Sequence, residues 1–201
     1  RENYLFNSSI NSIEESDFIF LIGSNPRYEA TILNARIRKS FLQNKTKIIS
    51  LSNVGDLTYP YESLNGEIEN IKNITEDNHE ISKLIKEAKK PLIIFGQSAL
   101  KSSSAKYIFE SIKSFLDKNN KITNEWNSLN IISENASTVG SFDLGLYKTE
   151  DGSNEVLKDL ENNKFDIVYL LGQDSLKFKK QNEFIIYQGS HGDKGAEIAD
   201  I

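Results

Sequence analysis

The feature that most constrains this chain is the run Phe18–Ile22, followed by glycine and a helical pattern. Five consecutive apolar residues, branched and aromatic, suit a strand buried on both faces. Gly23 ends the run, where a backbone without Cβ turns sharply. Ser24 or Asn25 supplies a helix cap, and Pro26 fits a first helical position, which needs no N–H. Ala30, Leu33, Ile37 and Phe41 then recur at helical spacing. The stretch reads as strand, turn and helix, the opening half of a parallel crossover unit.

Two later stretches repeat the pattern. PLIIFGQSAL covers Pro91–Leu100, and IVYLLGQDSL covers Ile167–Leu176. Each is a buried-type strand closed by a glycine, so Gly23, Gly96 and Gly172 each mark a loop at the carboxyl end of a strand. Open α/β sheets bind ligands at such loops. A glycine after a strand is also ordinary turn chemistry, and that reading stands beside the functional one.

Between these landmarks the spacing predicts further elements. Phe6, Ile10 and Ile13 suggest a helix leading into the first strand. Lys47–Ser52 reads as a second strand, joined to the first by a right-handed parallel crossover. Tyr59 and Tyr61 flank Pro60 in a loop and serve as loop anchors or as a stacking surface. Thr75–Asn78 is a polar break, which places a boundary between subdomains 1–75 and 76–201. Helices are expected over Glu80–Lys89, Lys101–Lys118, Asn124–Asn135 and Val156–Leu160, and strands over Leu92–Phe95, Asp166–Leu171 and Glu183–Tyr187. Ala136–Gly152 reads as a loop. Ala199–Ile201 reads as the entry to a strand, and the whole sequence as a piece cut at both ends.

Composition excludes several chemistries. The 201 residues include no cysteine, so thiolate catalysis, disulfides and cysteine-ligated clusters are absent from this stretch. A net charge of −5 argues against nucleic acid or an anionic membrane as partner. The apolar runs are too short to span a bilayer. No G-x-x-x-x-G-K-S/T or G-x-G-x-x-G motif occurs; Gly189, Gly192 and Gly195 lack the tight first turn of the latter. His191 and Asp193 form a possible acid–base or metal pair in a glycine-bounded loop. The only other histidine is the distant His79, a poor metal set. Arg27, Arg36 and Arg38 read as ion-pairing or contact residues, since two residues apart on a helix do not converge on one anion. Trp126, the single tryptophan, reads as a core or interface anchor.

Four blocks carry a family resemblance: GSNPRYEATILNARIRK, DLTYPYESLNG, KEAKKPLIIFGQSAL and FIIYQGSHGDKGAEIADI. They resemble the large iron–sulfur subunit family of the proton-pumping NADH:quinone oxidoreductase, respiratory complex I. The match runs from Glu15 to Ile201 and is weaker over Lys101–Lys164. The resemblance implies iron–sulfur clusters elsewhere in the full-length protein, and here a part of the carboxyl-terminal region that is similar to molybdopterin-dependent oxidoreductases. It implies an α/β fold of Rossmann-like parallel-sheet units. In the molybdenum enzymes, turns like Gly23-Ser24-Asn25-Pro26 help hold the pterin nucleotide. Here Gly23, Ser24, Asn25, Gly96 and Gly172 are expected to be vestigial cofactor-binding positions, with no catalytic residue, no metal and no cofactor. The expected role is a structural domain in an oxidoreductase that passes electrons from NADH toward quinone. Its expected partners are other peripheral-arm subunits, on the cytoplasmic face of a bacterial inner membrane or the mitochondrial matrix side. A molybdopterin-binding domain that retains its cofactor is the alternative.

Overall fold

The computed structural model describes residues 1–146 and 150–201. They form two compact units, Arg1–Leu144 and Gly145–Ile201.

In the first unit the apolar run becomes β1 (Phe18–Ile22), buried at every position. The chain continues through a short helix, α1 (Pro26–Glu29), into α2 (Thr31–Asn44), and then β2 (Lys47–Ser50) and β3 (Glu62–Ser63). Helices α3 (Ile68–Thr75) and α4 (Glu80–Glu87) lead to β4 (Pro91–Phe95). A short α5 (Gln97–Leu100), α6 (Ala105–Lys118), β5 (Leu129–Ile131) and α7 (Thr138–Asp143) complete it. The strands form one five-stranded sheet in the order β3-β2-β1-β4-β5, parallel at every pairing.

Alternation along the strands divides the core into two layers. Phe20, Ile22, Ile49, Ile93 and Phe95 pack against Ile71, Ile74, Ile81, Ile85, Ile112 and Phe115 of α3, α4 and α6. Ile19, Leu21, Ile48, Leu92 and Ile94 pack against Leu33 and Ile37 of α2. A parallel sheet is stable with both faces covered, and right-handed crossovers supply the two layers when the chain winds outward in both directions. It does so here, from β1 to β2 and then back across to β4. The switch point therefore lies between the carboxyl ends of β1 and β4.

The second unit contains α8 (Glu150–Glu161), β6 (Ile167–Leu171), β7 (Phe184–Gln188) and α9 (Lys194–Ile198). Strands β6 and β7 pair in parallel. The Asp200 N–H donates to Ile185 O at 2.8 Å, and the Tyr187 N–H to Ile201 O at 2.8 Å. Ala199–Ile201 thus runs alongside β7, as its strand pattern suggests.

Several expectations need correction. The division at 75–76 falls inside the first unit, because β1 pairs with β2 on one side and β4 on the other. The helix expected over Asn124–Asn135 is instead a turn and β5. Thr123 Oγ1 accepts the Trp126 N–H at 3.0 Å, and the open edge of β4 takes Leu129–Ile131 in register with Ile93–Phe95. Trp126, Leu129 and Ile132 fit a helical period, but an unpaired strand edge outweighs that weak signal. The amino-terminal helix is replaced by two 3-10 turns, Glu2–Tyr4 and Asn11–Glu15, with Phe6 bridged to Asn130 between them. The loop expected over Ala136–Gly152 includes α7 and the start of α8; its residues 147–149 lie outside the described residues.

Candidate functional site

The two glycine turns at the switch point meet directly. Gly23 has φ +60°, a left-handed conformation that costs other residues energy. A Cβ on Gly23 would stand 2.4 Å from Ala99 N, and one on Gly96 would stand 2.3 Å from Gly23 O and 2.4 Å from Ser24 Cα. The Gly96 N–H donates to Ile22 O at 3.0 Å, and the Ser98 hydroxyl donates to Gly23 O at 2.7 Å. The turns are thus interlocked, backbone against backbone.

The β1 turn is tied equally well on its other side. Asn25 Nδ2 donates to Val54 O at 2.8 Å. The Arg27 guanidinium donates to Asp56 O at 2.9 Å and pairs with the Asp56 carboxylate at 2.6 Å. The Thr58 N–H and this arginine hold the Asp56 carboxyl below its usual range. The Asn25 N–H, a donor an anion would use, donates a hydrogen bond to Glu29 Oε1 at 2.7 Å. Tyr61 fills the following loop, its hydroxyl accepting from Val54 N at 3.0 Å and donating to Gly55 O at 2.9 Å. Tyr59 is buried, its hydroxyl donating to Asn34 Oδ1 at 2.8 Å, while Asn34 Nδ2 donates to Leu57 O at 3.0 Å. Burial raises the Tyr59 hydroxyl above the usual tyrosine range. Both tyrosines are loop anchors.

Three buried polar atoms at the carboxyl ends of β1 and β2 have no hydrogen-bond partner: Ser24 Oγ, Asn25 Oδ1 and Ser50 Oγ. An open groove of about 660 Å³ lies between Phe6 and Ile10, Tyr28 and Ile32, and Ile132 and Val139. Its lining is mostly apolar. Of its polar groups, the Ser8 hydroxyl donates to Asn127 O and Glu29 accepts from Asn25.

The remaining sequence candidates take structural positions. His79 caps α4, its Nδ1 accepting the Ile81 N–H at 3.2 Å. Arg36 and Lys39 both pair with Glu14. Trp126 Nε1 donates to Pro91 O at 2.8 Å, with the Lys90 ammonium 5.3 Å from the ring centroid. Among the described residues no cluster of three or more His, Cys, Asp or Glu could hold a metal.

In the second unit Gly172 ends β6 with φ +58°, and its N–H donates to Gln188 O at 2.8 Å. An added Cβ there meets nothing within 4 Å. Asp174, two residues on, accepts from the Gly195 N–H at 3.0 Å and the Tyr187 hydroxyl at 3.2 Å. Burial, then Asp174, raises the Tyr187 hydroxyl. His191 Nδ1 lies 2.8 Å from the Ser190 hydroxyl, both exposed. The sequence reading missed Ser98, Asp56 and the groove: the first two act through loops from other strands, and the third depends on where the amino-terminal segment returns.

The family model for molybdopterin oxidoreductases matches residues 1–201. The chain is 40% identical to the NADH-ubiquinone oxidoreductase 75 kDa subunit of Reclinomonas americana, an alignment covering all of this chain and 29% of that protein. It is 38% identical to the mitochondrial NADH-ubiquinone oxidoreductase 78 kDa subunit of Neurospora crassa, covering all of this chain and 26% of that protein. It is 37% identical to a subunit of the NADH-quinone oxidoreductase of Rickettsia bellii, again over all of this chain and 28% of that protein. The chain thus spans less than a third of the length of these relatives. With its whole length matched by the model and its strands in one doubly wound parallel sheet and a second parallel pair, the chain belongs to the molybdopterin oxidoreductase family.

Proposed function

We propose that this chain is a structural domain, without a cofactor of its own, of a complex I subunit that carries electrons from NADH through iron–sulfur clusters toward quinone. The clusters belong to other parts of that subunit. The domain supports the cluster-bearing part and contacts other peripheral-arm subunits. It works on the cytoplasmic face of a bacterial inner membrane, or on the matrix side in mitochondria, without entering the bilayer. No helix among the described residues is long and apolar enough to cross a membrane.

The observation that carries this reading is the interlock of Gly23 and Gly96. A pterin nucleotide at the switch point needs open space and free donors aimed at its phosphates. Here the space is taken by opposing backbone, and the Asn25 N–H is taken by Glu29. This close packing of the two turns supports the reading in which they hold no such group. One observation favours a second reading, in which the cofactor is retained: Ser24 Oγ and Asn25 Oδ1 are buried without hydrogen-bond partners, as atoms that hold a ligand are.

Metal analysis of the full-length protein purified from membranes separates the two. Iron without molybdenum or tungsten is the expected result. Stoichiometric molybdenum or tungsten overturns the scaffold reading and returns the search for ligands to Ser24 and Asn25.

A further inference from the structure

One peptide bond in this chain combines chemical lability with a hydrogen bond that holds it closed. Asn65–Gly66 is the only asparagine followed by glycine in the sequence. An asparagine carboxamide is open to attack at Cγ by the backbone nitrogen of the next residue, and a side chain on that residue hinders the approach. Glycine carries none, so its nitrogen is unshielded and its backbone free to turn. Both residues are exposed to water. In an unfolded chain this is the asparagine that deamidates first.

The folded geometry opposes the reaction. The Leu64 N–H donates to Ser50 O at 3.0 Å and the Gly66 N–H to Leu51 O at 2.8 Å, so the attacking nitrogen continues the parallel ladder between β2 and β3. That N–H must leave Leu51 before the nitrogen reaches Cγ. Gly66 also lies close against the end of β2: its φ is +80°, and an added Cβ would stand 3.2 Å from Ser52 Cβ. The carboxamide is fixed as well, because Asn65 Oδ1 accepts from the Glu67 N–H at 3.2 Å and from Asn70 Nδ2. Against these restraints stands the weakness of the strand. β3 is two residues long, exposed at both, and lies at the sheet edge. Elements with few buried contacts open locally far more often than a whole domain unfolds.

We propose that Asn65 is a deamidation site gated by this sheet edge: it reacts only in molecules where β3 has lifted from β2. In the open form the Gly66 nitrogen bonds to Asn65 Cγ, the carboxamide nitrogen leaves as ammonia with the amide proton, and a five-membered succinimide remains. Water then opens the ring at either carbonyl, giving aspartate or isoaspartate. The products differ in consequence. Aspartate keeps an acceptor for the Glu67 N–H and adds a negative charge beside the first turn of α3, where it is favourable. Isoaspartate lengthens the main chain by one carbon between Leu64 and Gly66. The two N–H groups then no longer both match Ser50 and Leu51, and the edge does not re-form as it was. Openings that end in isoaspartate are recorded permanently. This inference is independent of whether the glycine turns hold a cofactor.

The test follows the full-length protein in its native assembly and in urea, at neutral pH and one temperature. Peptic digestion in acid and mass spectrometry measure conversion at Asn65. Asn53 and Asn70, followed by the branched Val54 and Ile71, are comparison positions in the same stretch. Hydrogen exchange of the Gly66 amide in the same assembly gives the fraction of molecules in which its bond to Leu51 is open. In urea, Asn65 is expected to convert faster than Asn53 and Asn70. In the native assembly its conversion is expected to slow by the same factor as Gly66 exchange, to within about tenfold. Leu64→Ala, which removes a side chain packed against the core beside β3, is expected to speed both processes together. Native conversion as fast as in urea overturns the proposal. So does a slowing that departs further from the exchange factor in either direction, or a urea rate at Asn65 no greater than at the comparison positions. The unmodified protein decides these outcomes by itself where the Leu64 variant fails to fold.

Discussion

Two glycines close the switch point for different reasons, and substitution separates them. Gly96 has an ordinary backbone, φ −106°, so any residue could adopt its conformation. What forbids a side chain is space, since its Cβ would strike Gly23 O and Ser24 Cα, both backbone atoms. Gly55 is the opposite case: φ is +79° and nothing lies within 4 Å. Gly96→Ala forces the two turns apart and is expected to cost about 3 kcal/mol, the upper part of the overpacking range. Gly55→Ala bears only the left-handed backbone penalty, about 1 kcal/mol. Denaturant midpoints of the two variants check the order. Equal, small losses would mean that the Gly23 and Gly96 turns yield easily, and the interlock would no longer support the scaffold reading.

Helix α2 is held at its outer surface by a short strap. The 3-10 turn Asn11–Glu15 lays Glu14 against Arg36 and Lys39, and Asn44 Nδ2 donates to Glu14 O. Lys39 first, then Arg36, lowers the Glu14 carboxyl below its ordinary value of 4.5. A carboxyl lowered in the folded state contributes stability above its unfolded value and loses it as pH falls through the folded one. The native protein and Glu14→Gln are therefore expected to differ in denaturant midpoint at pH 7, and the difference is expected to shrink as pH falls from the ordinary 4.5 through the lowered folded-state value. A difference that does not shrink at any pH below 4.5 would mean that Glu14 acts through packing and not charge. Elements of this kind differ in how well the sequence announces them. β1 was readable because burial on both faces demands a continuous apolar run, and α6 because Ile108, Ile112, Phe115 and Leu116 mark one stripe. β5 was not: three residues take strand form by borrowing the edge of β4, and nothing local in Leu129–Ile131 states that edge is free. At the site, Gly23 and Gly96 stood out as turn residues, but their contact depends on the spacing of neighbouring parallel strands. The groove rests on Phe6 and Ile10 returning beside Ile132, a long-range event with no local signature.

At the scale of the whole molecule, the first unit has the architecture of an open parallel sheet whose carboxyl-end loops are bonded to one another. Five parallel strands aim their carboxyl ends at one side, with the switch point between β1 and β4, where such sheets take nucleotides. At that edge Ser98 bonds Gly23, Asn25 bonds Val54, Arg27 bonds Asp56, and the two glycine turns fill the gap. The open groove beside Tyr28 and Ile32 has a mostly apolar lining that offers a phosphate no positive side chain. These facts bear directly on nucleotide binding. A ligand that binds only the folded state adds about 2.7 kcal/mol at 100 times its Kd, which shifts Tm by several degrees. Guanosine or adenosine diphosphate is therefore expected to leave unchanged the Tm of the melting transition to which this domain contributes. A reproducible upward shift with either diphosphate, abolished by Ser24→Ala, would mean that the interlock opens and that the buried Ser24 hydroxyl is a phosphate ligand in waiting.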